Sequence, residues 1–229
     1  MPNPSQHREG SNDGGGRPKD AGLILVAAGL LEVLAMSHHP SVAAPGIAQA
    51  IEAIGAFSRR AAWIHGVLIG LMLVTVYGLS ELALQRGLRR PLVRAGLVGY
   101  CAGVIAMMGA ALVSGWVVAG LASSTPHSTA TDLQINSQLL ILCAVVNRAC
   151  ANFGAVAMSA GIGLWSLDLL RDSGIRRAVG VFGCIVCLLA AGALLTGWLH
   201  LDVHGMSAVV ALQAAWTIAV GALLTSRKV

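Results

Sequence analysis

Histidine carries most of the chemistry legible in this sequence. His7 lies near the start, and the other six are His38, His39, His65, His127, His200 and His204. Imidazole is the commonest protein ligand for transition metals, and it binds in its neutral form. A converging set could hold zinc, copper or a haem iron. His65, His200 and His204 are the leading ligands, with His38 or His39 completing the shell and His127 and the flanking thioethers of Met36 and Met206 as weaker candidates. Thioether sulfur suits Cu(I). His200 and His204 are four apart and would share one face if a helix reached one turn further. Asp202 between them would then ligate the metal or orient a ligand. The His-x-x-x-His spacing lacks the glutamate of the zinc-protease motif. Two rival readings stand beside this one. Amphipathic imidazoles are tolerated at a bilayer interface without a ligand, and they also serve as proton carriers or pH sensors.

The elements that must position these residues follow from composition. Of 229 residues, 56% are apolar and 11% charged, against roughly 25% charged in soluble domains. A soluble fold has too few polar residues here to cover its apolar surface. The chain therefore reads as an all-α integral membrane protein in contact with the lipid bilayer. Residues 1–20 are polar, with Gly14-Gly15-Gly16, and read as a disordered tail. Residues 21–229 read as one six-helix domain. Its apolar segments are Ala21–Ser37, Ala61–Leu84, Ala95–Ala122, Leu139–Leu170, Ala178–Leu199 and Gly205–Thr225. About 20 residues suffice to cross the hydrocarbon, so the third and fourth must tilt or project.

Twelve of the fifteen Lys and Arg fall before the first span, between the second and third, between the fourth and fifth, or after the sixth. The positive-inside rule then predicts three hairpins with both termini cytoplasmic. Trp63, Trp116 and Trp198 fall at the expected outer boundary, and Trp165, Tyr77 and Tyr100 nearer the inner one, as an aromatic belt would. Every histidine but His7 then lies at the outer face. The net charge of +5 belongs to this orienting set, so no nucleic-acid partner is expected. Arg outnumbers Lys, which points to a GC-rich bacterial source and an inner membrane. A cleaved signal peptide ending near Ala43-Ala44 would leave five spans; Glu32 within the run and the long polar lead argue against it. In the first outer loop, Ile47, Ile51, Ile54 and Phe57 recur at helical spacing, which predicts a short amphipathic helix on the membrane surface or packed on the bundle.

Polar groups inside the spans raise a functional question by default. Glu32, near mid-depth, must be protonated, paired or facing a wet cavity. Arg148 and Asn152 in the fourth span are pocket candidates; Arg148 suits an anion or an acidic partner (Glu32, Glu52 or Asp132). Glu81 and Asp168 at the inner ends read as partners of Arg86 and Arg171. Cys184 and Cys187 sit among apolar neighbours and read as small hydrophobes rather than a redox pair. Gly66/Gly70 and Gly99/Gly103 allow close helix approach, within the chain or in a homo-oligomer.

Three functions compete on these features. The first is a membrane redox protein or enzyme, an oxidoreductase with metal or haem at the outer face. The His65-Gly66 opening of the second span resembles the membrane-embedded haem isomerases that act on styrene oxide, in which such a His holds the iron. That resemblance covers one short motif and a helix hairpin. The second is a small proton- or metal-coupled transporter using the outer histidines and Glu32. The third is a non-catalytic membrane scaffold or assembly component.

Overall fold

The computed structural model describes residues 17–39, 46–124 and 129–226. Its helices are α1 (Arg17–Ser37), α2 (Ile47–Ala56), α3 (Ser58–Arg86), α4 (Pro91–Leu112), a single π-helical turn (Val113–Val117), α5 (Val118–Ser123), α6 (Ala130–Leu169), α7 (Gly174–Leu195) and α8 (Val203–Thr225). No strand occurs among the described residues. Six helical stretches are long and apolar enough to cross a membrane, α4, the π-turn and α5 together making the third. The chain is thus a multi-pass helical membrane protein. Large side chains such as Val98, Ile105, Leu188 and Leu195 face outward because lipid, not water, is their solvent.

Several boundaries differ from the sequence reading. α1 begins at Arg17, inside the segment expected to be a tail; residues 1–16 lie outside the described residues. α6 begins at Ala130 rather than Leu139, started by a capping box in which Thr129 accepts from the Asp132 amide and the Asp132 carboxylate accepts from the Thr129 amide. At 40 residues it is about 60 Å long, twice the hydrocarbon thickness. The fifth span ends at Leu195 rather than Leu199, because Gly197 turns the chain in the left-handed region at φ 73°. The loop helix is present as α2. It buries Ile51 and packs on α5, with Gly55 against the Ala122 carbonyl.

Three helix pairs dominate the packing, α4 along α6, α1 along α8 and α6 along α7, with α3 wedged between the first two. Glycine sets their spacing. A Cβ on Gly161 would sit 2.9 Å from the Gly96 carbonyl, and one on Gly103 2.8 Å from the Gly154 carbonyl. A Cβ on Gly22 would lie 2.5 Å from the Gly221 carbonyl. No larger residue allows such backbone contact. Trp165 and Trp216 stack beside these seams with ring centroids 6.1 Å apart, and Trp165 donates to the Val93 carbonyl. Trp165 and Tyr100 are therefore core residues and not members of an aromatic belt; Trp63, Trp116, Trp198 and Tyr77 are exposed as a belt requires.

At the end of the bundle holding the α3–α4 and α6–α7 turns, Arg86 bridges Asp168 at 2.7 Å and also binds Asp172, while Arg90 reaches Asp168 at 3.3 Å. Asp168 is 1% exposed. Glu81, expected to pair with Arg86, takes no part in this network. The helix order explains this, since Arg86 faces α6 and Glu81 lies more than one turn away. Removing one partner from a buried ion pair strands the other charge. Asp168→Ala is expected to cost about 3 kcal/mol of stability, and Asp172→Ala, at a part-exposed site, about 1 kcal/mol or less. Thermal unfolding of detergent-solubilised protein measures both.

Candidate functional site

The site starts where α1 ends. The His38 and His39 amides donate to the Ala35 and Met36 carbonyls and close the helix. His38 then folds back on its own helix, its Nδ1 3.0 Å from the Leu34 carbonyl, and stays exposed. His39 turns the other way, toward α3. Its Nε2 lies 3.3 Å from Nε2 of His65, with the rings edge-on at 5.0 Å. Arg60 donates to the His38 carbonyl and ties the two helix ends together.

His65 is 7% exposed. Its Nδ1 lies 2.7 Å from the Ala61 carbonyl. A carbonyl only accepts, so Nδ1 must carry the proton. In the neutral ring this leaves the Nε2 lone pair pointing at His39. That is the tautomer a metal ligand needs, set by the hydrogen bond on the far nitrogen. The π-turn makes room for this ring. A Cβ on Gly115 would stand 2.7 Å from the His65 Cβ, so only glycine lets the strands of helix approach here. The extra residue of a π-turn also re-aims its neighbours. Ser114 thereby donates to Asn147 Oδ1 at 3.0 Å.

Behind the histidine pair lies a cavity of about 280 Å³. Its mouth is formed by His39, His65, Ser114, Asn147 and Asp202. Further in, Glu32 faces it and accepts a 2.9 Å hydrogen bond from Thr75. Glu32 is thus both paired and cavity-facing, two of the options its burial required. Gln213 and Thr217 line the deep end, and Gln213 donates to Ser159 at 2.9 Å. Met36, Met72, Met107, Met158 and Met206 supply much of the remaining wall.

Only part of the expected constellation assembles. His38, His200 and His204 are exposed and do not line the cavity. The shared face expected of His200 and His204 does not form, because α8 starts at Val203 and His200 precedes it. Asp202 instead caps α8, accepting from the Gly205 amide at 2.7 Å, although it does line the mouth. His127 lies outside the described residues. Arg148 and Asn152 are exposed, and Arg148 enters no described ion pair. The cavity face of α6 runs through Asn147, Ala151 and Met158, and Arg148 and Asn152 sit one residue, about 100°, off that stripe. Among the described residues no three His, Cys, Asp or Glu side chains group as a metal shell. Cys184 and Cys187 are free thiols outside the cavity.

Sequence reasoning missed Asn147, Ser114, Gln213 and the three deep methionines. Gln213 and Thr217, one turn apart within a span, were the available signal. No protein-family model, curated protein or solved structure matches this chain.

Forcing a side chain into the contact between the π-turn and α3 should disturb the histidine pair directly. Gly115→Ala is expected to cost about 1–3 kcal/mol, whereas Gly120→Ala, with nothing within 4 Å, should leave the melting temperature unchanged or raised. Thermal melts of the two variants in one detergent make the comparison.

Proposed function

We propose that this membrane protein binds a transition-metal ion between His39 and His65 at the mouth of its cavity. The observation that carries the reading is the facing pair of Nε2 atoms at 3.3 Å, one of them buried and held in the ligand tautomer. A tetrahedral metal with bonds of about 2.0–2.1 Å holds two nitrogens about 3.3 Å apart. The pair therefore needs little movement to accept an ion, the proton that His39 holds on Nε2 moving to its Nδ1 so that both rings ligate as neutral imidazoles. Asp202 with water, or the thioethers of Met36 and Met206, would complete the shell. All of these line the same cavity.

The separation favours a bare ion over a haem held by both rings. Two axial bonds on one iron set their nitrogens about 4 Å apart with a macrocycle between, and rings packed edge-on at 5.0 Å leave no slot for it. The cationic end opposite the site supports an orientation with both termini cytoplasmic and the histidines outward, in a bacterial inner membrane. The site would then meet ions arriving from outside the cell.

Metal per chain, measured by mass spectrometry on protein reconstituted in nanodiscs and equilibrated with zinc or copper, tests the proposal. His39→Ala and His65→Ala should each weaken binding by about 10–100-fold or more, with His38→Ala, His200→Ala and His204→Ala without effect. Equal losses from the His200 and His204 variants would refute it.

A further inference from the structure

The structure carries an unassigned pattern deeper in the same cavity. Of the six methionines among the described residues, five line it, and each comes from a different helix: Met36 from α1, Met72 from α3, Met107 from α4, Met158 from α6 and Met206 from α8. Only Met108 does not. Met72 and Met158 belong to the main apolar core and Met107 packs against it, and the same three side chains also reach the cavity wall. Met36 and Met206 belong to the level of the histidine pair. Met72 follows His65 by seven residues and Met107 precedes Ser114 by seven, so both lie about 10 Å below the mouth, with Met158 about 16 Å below Asn147. Glu32 is also seven residues from His39, at the level of Met72 and Met107, and faces the same space.

Resting on the metal reading above, we infer that Met72, Met107 and Met158 form a second, deeper thioether site for a soft monovalent cation, Cu(I) or Ag(I), reached through His39 and His65. Thioether sulfur discriminates by softness, binding Cu(I) while neglecting hard or borderline divalent ions. Charge points the same way. Glu32 is the one acidic side chain on the deep wall. In a hydrocarbon surround, one carboxylate with one monovalent cation is neutral, whereas a divalent ion leaves an uncompensated charge. The two levels together span about half the bilayer, so the ion is cargo drawn inward from the mouth rather than a fixed structural metal.

Silver(I) and zinc(II) binding to full-length protein in nanodiscs, read as ions per chain by equilibrium dialysis, tests this. Wild type should take two silver ions and one zinc. The triple variant M72L/M107L/M158L keeps side-chain volume; it should lose one silver and retain zinc, the retained zinc showing that it has folded. E32Q should weaken the deep silver at least about tenfold, the 1.4 kcal/mol scale of one lost charge contact. H39A/H65A should lose zinc yet still bind one silver, with only sulfur neighbours by X-ray absorption. If the triple variant and E32Q both bind silver as wild type does, the thioether site is wrong while the histidine site stands. If neither ion binds wild-type protein, both are wrong.

Discussion

Backbone contact at glycine holds the arrangement together. In lipid, apolar side chains gain little by leaving one another for the solvent, so helices associate through close packing and hydrogen bonds. Gly22 against Gly221, Gly96 against Gly161 and Gly103 against Gly154 bring α1 to α8 and α4 to α6 until carbonyls meet the opposing α-carbons. Gly22, Gly221, Gly96 and Gly161 all lie toward the charged end, where Arg86 and Asp168 add a buried ion pair. Toward the histidine end these helices and α3 enclose the cavity, which is lined from α1, α3, α4, α6 and α8.

That geometry explains why the polar groups are where they are. Glu32 and Gln213 sit within spans and would be costly against lipid. Turned to the cavity, each finds a hydroxyl, from Thr75 and Ser159. His65 is buried between α3 and the π-turn and is aimed by the Ala61 carbonyl behind it and by Gly115 in front. The π-turn is the device that fits a helix around this ring, and its register change also presents Ser114 to Asn147.

The fold was largely legible because a lipid solvent forces continuous apolar runs, and these are visible without tertiary information. Six spans and the amphipathic α2 emerged from that alone. Boundaries were less legible where local chemistry decides them, as at the Thr129–Asp132 capping box and at Gly197. The site was legible in residue type but not in membership. His39 and His38 are neighbours in sequence, yet one turns to α3 and the other folds onto Leu34. Arg148 and Asn147 likewise differ by one residue, yet Arg148 is exposed and Asn147 lines the cavity. Rotation about a helix axis is set by which face meets a glycine seam, and that pairing is long-range. The deep methionines were illegible for the same reason, since each is unremarked on its own helix and meaningful only once five helices converge.

The central claim is that one ion sits between His39 and His65. Anomalous diffraction at the copper edge from crystals of the copper-loaded protein locates it most directly. The account predicts a peak about 2 Å from both Nε2 atoms. A peak at His200 and His204 instead, with none between His39 and His65, would contradict it.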